Sequence, residues 1–256
     1  LDLVLNGGVP EGSFMIFTGH PKCGKTTTSL DFAATAQRLE YAHSSFADGR
    51  DVYYLNIEGR LKKRDLEGIP GLNLDKFHVI GSQQGKILHA EEYLAKFCRK
   101  VANVIPVNKN VVIGITHLMG NPGHGNVEFK EKSGQSIAYQ TDVKLRATYF
   151  EPWRVGKDDT QIGQKIHWIV NCSALGPPGG KITSFLRYGE GIDRAMEVFN
   201  LAKDIGLVDQ AGAWYTISCV KDTPKFQGEE KARNYIASNP DVYESIWNQV
   251  KETMGI

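Results

Sequence analysis

Short runs of β-branched and aromatic residues recur along the chain at Phe14–Thr18, Asp51–Glu58, Phe77–Ile80, Val111–His117, Val143–Phe150, Ile166–Val170 and Ile182–Tyr188. Their length and make-up predict strands. Between them apolar residues return every three or four positions, the spacing of one helix face. Leu30, Ala33, Ala34 and Leu39 mark a helix from Thr27 to Leu39, and Leu88, Tyr93, Leu94, Phe97, Val101 and Val104 mark another from Ile87 to Val104. A polar helix begins at Lys62-Lys63-Arg64. Leu1 to Val9 reads as a helical turn running into a glycine bend, with no start methionine, so a segment upstream is expected. Strands alternating with helices predict an α/β core with a mostly parallel central sheet.

The pattern changes at Gly189–Asp193. Beyond it come three helical stretches, Arg194–Leu207, Glu229–Ala237 and Val242–Met254, with a hairpin at Ala213–Val220 between the first two. Asn239-Pro240-Asp241 is a stop-and-start signal, with Asp241 as the expected N-cap. Residues 1–192 are therefore expected to form the core and 193–256 a small C-terminal α/β domain. No repeat or low-complexity segment is present.

The strongest chemical signal sits between the first strand and the first helix. Gly19-His20-Pro21-Lys22-Cys23-Gly24-Lys25-Thr26 has the Gly-x4-Gly-Lys-Thr spacing of a phosphate-binding loop, and Thr27 follows. In that context backbone N–H groups around Gly24 converge on phosphates, and the helix N-terminus adds its dipole. Lys25 is expected to reach the β- and γ-phosphates and Thr26 to bind Mg²⁺. The reading is a nucleoside triphosphate site.

Two further strands end on polar residues. A polar residue at the C-terminal end of a parallel strand borders the ligand crevice. Glu58 is thus a candidate for activating the water that attacks a γ-phosphate. His117 ends the Val111 strand, and Gly120 to Gly134 follows it, a long segment rich in glycine and charge. Long loops with no apolar pattern of their own are commonly functional.

Composition narrows the class little. Hydrophobic content of 41% and charged content of 23% suit a globular protein, and the net charge is +1. The four scattered cysteines lack metal or disulfide spacing, which leads to the expectation of reduced thiols and a cytoplasmic location. Charge is uneven, however. From Leu94 to Arg154 nine Lys/Arg stand against four acids, a bias that suits a polyanion or an ordinary solvated face.

Taken together, the order of elements resembles the RecA-type homologous recombinases, the phage UvsX proteins among them. The likeness rests on the entry into the phosphate loop at Leu1–Gly12, and on Tyr188-Gly189-Glu190-Gly191-Ile192, Gly212-Ala213-Trp214-Tyr215 and Gly228 to Lys251. It implies a RecA-like P-loop ATPase core that uses ATP and Mg²⁺. It further implies single-stranded and double-stranded DNA as partners, a homo-oligomeric helical filament, and roles in homologous pairing and strand exchange. By the resemblance Glu58 matches the catalytic glutamate and His117 a sensor of the γ-phosphate. Gly120-Asn121-Pro122 and Ser133-Gly134-Gln135 match the ends of a DNA-binding loop. Within that loop Lys130 and Lys132 can follow a backbone, and Met119 or Phe129 can wedge or stack against bases.

The chain departs from the family in several places. The family carries a strand ending in Asp (Walker B) between the helix near Ala95 and the strand at Val111, and here Ala102 to Asn110 holds no carboxylate. The first DNA-binding loop is absent too. A central parallel strand cannot be removed without opening the core. Either a segment lies outside this sequence, or the chain is a rearranged relative. The basic residues expected near Asn171 to Ala174 are also missing, and Arg64 stands in the region of an adenine-covering aromatic. These changes touch hydrolysis more than nucleotide binding. They leave a second reading open, a non-catalytic RecA-like DNA-binding or filament-modulating protein. A hexameric helicase fits less well, because helicases are not expected to carry the C-terminal group of motifs.

Overall fold

In the computed structural model, residues 1–39, 49–56, 61–81, 90–120, 129–131, 140–156, 158–174 and 176–255 are described. Every residue of strand β1 (Phe14–Gly19) is buried. A strand buried on both faces needs cover on both. Met15 and Phe17 pack on one side with Leu5, Leu145 and Trp168. On the other, Phe14 and Ile16 meet Cys98 and Ile105, from helices α3 (Ala90–Val101) and α4 (Val104–Val107). The long amphipathic helix expected from Ile87 to Val104 is thus broken after Val101, and Ile87 and Leu88 lie outside the described residues.

Strand β1 runs parallel to both its neighbours, β4 (Val112–Ile115) and β7 (Val143–Val155). From β7 the sheet continues through β8 (Thr160–Ser173), β9 (Lys181–Arg187) and β10 (Gly191–Ile192), each antiparallel to the one before. The six-stranded order is β10-β9-β8-β7-β1-β4. The sheet is therefore mixed rather than mostly parallel. Short turns join β7 to β10, and a short connection can only return the chain antiparallel. A parallel pair needs a crossover.

The described strands do not form one continuous sheet. Strands β2 (Val52–Asn56) and β3 (Phe77–Gly81) form a separate two-stranded parallel sheet. Helix α1 (Lys25–Arg38) bridges the two sheets: Phe32 meets Phe17 of β1, while Leu30 and Ala34 pack with Val52, Tyr54 and Phe77. The opposite face of β2–β3 is bare, with Tyr53 65%, Leu55 51% and Ile80 50% exposed. The polar helix expected at Lys62 is α2 (Lys63–Glu67).

Leu118 to Glu131 also differs from a plain loop. β5 (Leu118–Gly120) pairs antiparallel with β6 (Phe129–Glu131), so Met119 stands opposite Lys130 and Gly120 opposite Phe129. Cross-strand pairing escaped the sequence reading because three-residue strands carry too little alternation to register.

The C-terminal part holds helices α5 (Arg194–Asp204), α6 (Glu229–Ser238) and α7 (Pro240–Met254). Between α5 and α6, β11 (Val208–Ala211), β12 (Trp214–Ile217) and β13 (Phe226–Gln227) make a three-stranded sheet, one strand more than the expected hairpin. The start of α7 is Asn239 followed by Pro240 at the first helical position, so Asp241 lies inside the helix rather than capping it. Proline is favoured there because its missing N–H would be unbonded anyway. Phe199, Ile217, Ile236 and Ile246 form the centre of this part, and Trp153 and Phe185 of the large sheet belong to the same cluster.

Asp193 ties the two parts together. Its side chain is 1% exposed and accepts from Arg187 Nε at 2.8 Å and Arg233 Nε at 2.9 Å. It also caps α5 through the Met196 N–H at 3.0 Å. Arg187 donates further to Glu230 at 2.9 Å, and Arg233 to Glu190 at 3.3 Å.

Candidate nucleotide site

The loop between β1 and α1 has the expected strand–loop–helix form. Gly19 has φ 150°, and a Cβ there would lie 2.7 Å from the Ala147 carbonyl of β7. Gly24 precedes α1 at φ 70°, in the left-handed region, and a Cβ there would strike Ile166 and Leu186 of β8 and β9. Both glycines are thus demanded by backbone angle and by close approach.

The first turn of α1 contains no acidic residue, and no side chain caps it. Its leading N–H groups are therefore available to an anion, and the helix dipole favours one. Lys25 is only 4% exposed. Its ammonium donates to the Gly19 carbonyl at 3.0 Å and the His20 carbonyl at 2.6 Å, so it is held inside the curl of the loop. Cys23 closes the curl by donating from Sγ to the His20 carbonyl at 2.7 Å. Burial pushes the Cys23 thiol up, against the opposing influence of the Lys25 charge. Gln164 of β8 donates to the Lys22 carbonyl at 3.2 Å and fixes the loop to the sheet.

These features fit a triphosphate. Pro21, Lys22, Thr26 and Thr27 line a cleft of about 2260 Å³, which also reaches Arg64 and His117. The structure thus gathers these four of the predicted loop residues, Arg64 and His117 about one cavity. Arg64 stands largely in solvent, 3.8 Å from Asp65. Thr26 offers one hydroxyl to a metal ion. Mg²⁺ at such sites takes its other ligands mainly from phosphate and water. No group of three or more metal-binding side chains occurs among the described residues.

A second polar group borders the loop at the C-terminal strand ends. Thr18 pairs in register with Arg146 of β7, and the Thr116 N–H donates to the Phe17 carbonyl. The Thr18 and Thr116 hydroxyls and Arg146 Nε are buried with no hydrogen-bond partner among the described residues. Buried polar atoms of this kind are rarely left unsatisfied, so they mark a place built for polar company. Sequence reasoning missed all three. Only the pairing of β7 with β1 puts Arg146 beside the loop.

Glu58 lies outside the described residues, as do Asn121, Lys132, Gly134 and Gln135. Met119, Gly120, Phe129 and Lys130 are placed by backbone pairing in the β5–β6 ribbon, which begins three residues after Ile115, the end of β4. Of the carboxylates lining the cleft, Glu11 and Asp51 precede β1 and β2 and so stand at the strand ends opposite the phosphate loop.

Residues 196–255 match the family model of the RecA C-terminal domain. The whole chain is similar to Protein RecA of Streptococcus pneumoniae strains Hungary19A-6 and CGSP14, at 26% identity over 292 aligned positions that cover 100% of this chain and 74% of each relative. These similarities support a RecA-family protein. No helix among the described residues is long and apolar enough to cross a membrane.

Proposed function

We propose that the chain is an ATP-dependent recombinase of the RecA type, which assembles as a filament on single-stranded DNA and pairs it with a homologous duplex. The observation that carries the reading is the phosphate loop itself, with Lys25 held inside the curl and an uncapped, acid-free start to α1, in a chain whose tail matches the RecA C-terminal domain. In this reading Gly24, Lys25, Thr26 and Thr27 hold the triphosphate, Thr26 supplies the protein's oxygen to Mg²⁺, and Arg64 lies against the base. Glu58 takes the proton of the attacking water. ATP with Mg²⁺ supplies a scissile phosphoanhydride whose charge the loop neutralises. His117 links the nucleotide to the β5–β6 ribbon, where Met119, Phe129 and Lys130 meet DNA together with Asn121, Lys132, Gly134 and Gln135. Because the ribbon leaves the sheet at the sensor, the state of the nucleotide can alter its order.

A second reading has its own support. Among the described residues, the cleft carboxylates Glu11 and Asp51 sit at the far strand ends, away from where an acid that assists the metal usually stands. A RecA-like protein that binds nucleotide and DNA but hydrolyses slowly would look the same. Fluorescent-nucleotide titration of the parent and Lys25→Ala, followed by ATPase assays with and without single-stranded DNA, separates these outcomes. Lys25→Ala should abolish nucleotide binding and leave the circular dichroism spectrum unchanged. Nucleotide binding without DNA-stimulated turnover supports the second reading, and equal affinity in parent and variant removes both.

A further inference from the structure

One buried side chain from the antiparallel part of the large sheet holds the phosphate loop by a single peptide group. Gln164 of β8 is 6% exposed and pairs in register with Pro152 of β7 and Leu186 of β9. Its Nε2 donates to the Lys22 carbonyl at 3.2 Å, across 142 positions of sequence. A carbonyl only accepts, so the amide turns its NH₂ toward the loop. The bond meets the loop where its backbone is most constrained. Lys22 has φ 64°, in the left-handed region that a lysine rarely takes, and Gly24 follows at φ 70°. Cys23 between them is at negative φ. Alternation of this kind turns successive N–H groups to one side and makes a concavity that binds anions.

A left-handed backbone at a residue other than glycine persists only where its surroundings over-determine it, and such residues gather at ligand clamps. Here the surroundings are explicit. Ile166 and Leu186 crowd the point where a Cβ on Gly24 would stand, and Gln164 Nε2 lies 3.5 Å from the same point. Cys23 Sγ closes the curl on the His20 carbonyl at 2.7 Å. In a trans peptide the C=O and the following N–H point in opposite directions. The Lys22 carbonyl faces β8, so the Cys23 N–H of the same peptide is turned away from β8. Gln164 therefore sets the direction of a backbone donor in the phosphate loop without belonging to it.

We infer that Gln164 is a positioning residue for the nucleotide: by holding the Lys22 carbonyl on β8 it locks the Lys22–Cys23 peptide with its N–H toward the phosphate chain. The inference rests on the proposed nucleotide site and says how that site is kept ready before the ligand arrives. Released from Gln164, the peptide is free to rotate and relieve the strain at Lys22. The binding-competent loop then becomes a fraction of the population, and the apparent Kd rises by the inverse of that fraction. The effect falls on the phosphate chain and not on the base, so ATP and ADP should lose affinity alike.

The test titrates the full chain with fluorescent analogues of ATP and ADP in the presence of Mg²⁺, comparing the parent with Gln164→Leu and Gln164→Glu. Cooperative thermal melts without nucleotide report that each variant is folded. Gln164→Leu keeps the volume and removes the donor, and it should bind both probes about tenfold more weakly at every pH. Gln164→Glu adds a readout that loss of packing would not move. Its ionised carboxylate sets an acceptor against the Lys22 carbonyl, whereas the protonated acid regains a donor, and burial raises the pH at which that proton is held. Measured against the parent at the same pH, Gln164→Glu should bind about tenfold more weakly near pH 8 and recover most of that loss near pH 5.5. Should Gln164→Leu fail to fold, Gln164→Glu carries the test alone, since its two forms differ by one proton. Parent-like affinity in Gln164→Leu, or weak binding by Gln164→Glu that does not recover on acidification, would overturn the inference and leave the nucleotide site standing. A parent that binds neither probe would remove the nucleotide site and this inference with it.

Discussion

Asp193→Asn tests how the C-terminal part is held to the large sheet. Asparagine caps a helix about as well as aspartate, so the bond from the Met196 N–H to the α5 cap survives. What is lost is the charge facing two guanidinium groups, Arg187 at 2.8 Å and Arg233 at 2.9 Å, whose side chains are only 13% and 17% exposed. Breaking a buried ion pair by neutralising one member costs about 3–5 kcal/mol, because the other charge stays buried. Both arginines keep a second carboxylate, Glu230 at 2.9 Å and Glu190 at 3.3 Å. The lower end of that range, about 3 kcal/mol, is therefore expected. At roughly 2–4 °C per kcal/mol for a domain of this size, the melting temperature should fall by about 6–12 °C. Urea unfolding of the parent, Asp193→Asn, Arg233→Gln and the double variant gives the coupling directly. A loss below about 1 kcal/mol, the level of an exposed pair, would refute the argument that burial makes this cluster expensive to break.

Three other outcomes follow from the geometry and the proposed roles. Glu58→Gln should keep ATP affinity and lower DNA-stimulated turnover by roughly 10²–10⁴, the usual cost of losing a general base; unchanged turnover in a steady-state ATPase assay removes Glu58 from that role. Lys130→Ala with Lys132→Ala should make the salt slope of log K for single-stranded DNA shallower by about 0.7 per lost phosphate contact, read from a salt titration with saturating ATP. Burial pushes the Glu197 carboxyl up, so its folded pKa exceeds its unfolded one and stability is lost as pH rises from the usual carboxylate range through the raised value. Glu197→Gln should consequently be more stable than the parent at pH 7, with the difference shrinking toward pH 4 in thermal melts; a difference that grows on acidification would contradict the sign.

The local elements and the phosphate loop are legible along the chain. Phe14–Phe17 is apolar throughout because it is buried on both faces, and the spacing of Gly19, Gly24 and Lys25 is a local requirement of backbone angle and phosphate geometry. Tertiary structure decided the rest. Hairpin turns after β7 made the sheet mixed, a matter of connection length that residue periodicity does not report. Thr18, Thr116 and Arg146 became neighbours only through strand pairing between residues 98 or more positions apart. Asp193 reads in sequence as one more turn residue, and only the folded chain brings Arg187 and Arg233 onto it from opposite sides of the junction. Local steric and hydrogen-bonding rules act over a few residues and are legible along the chain, whereas long-range contacts depend on which surfaces the fold presses together.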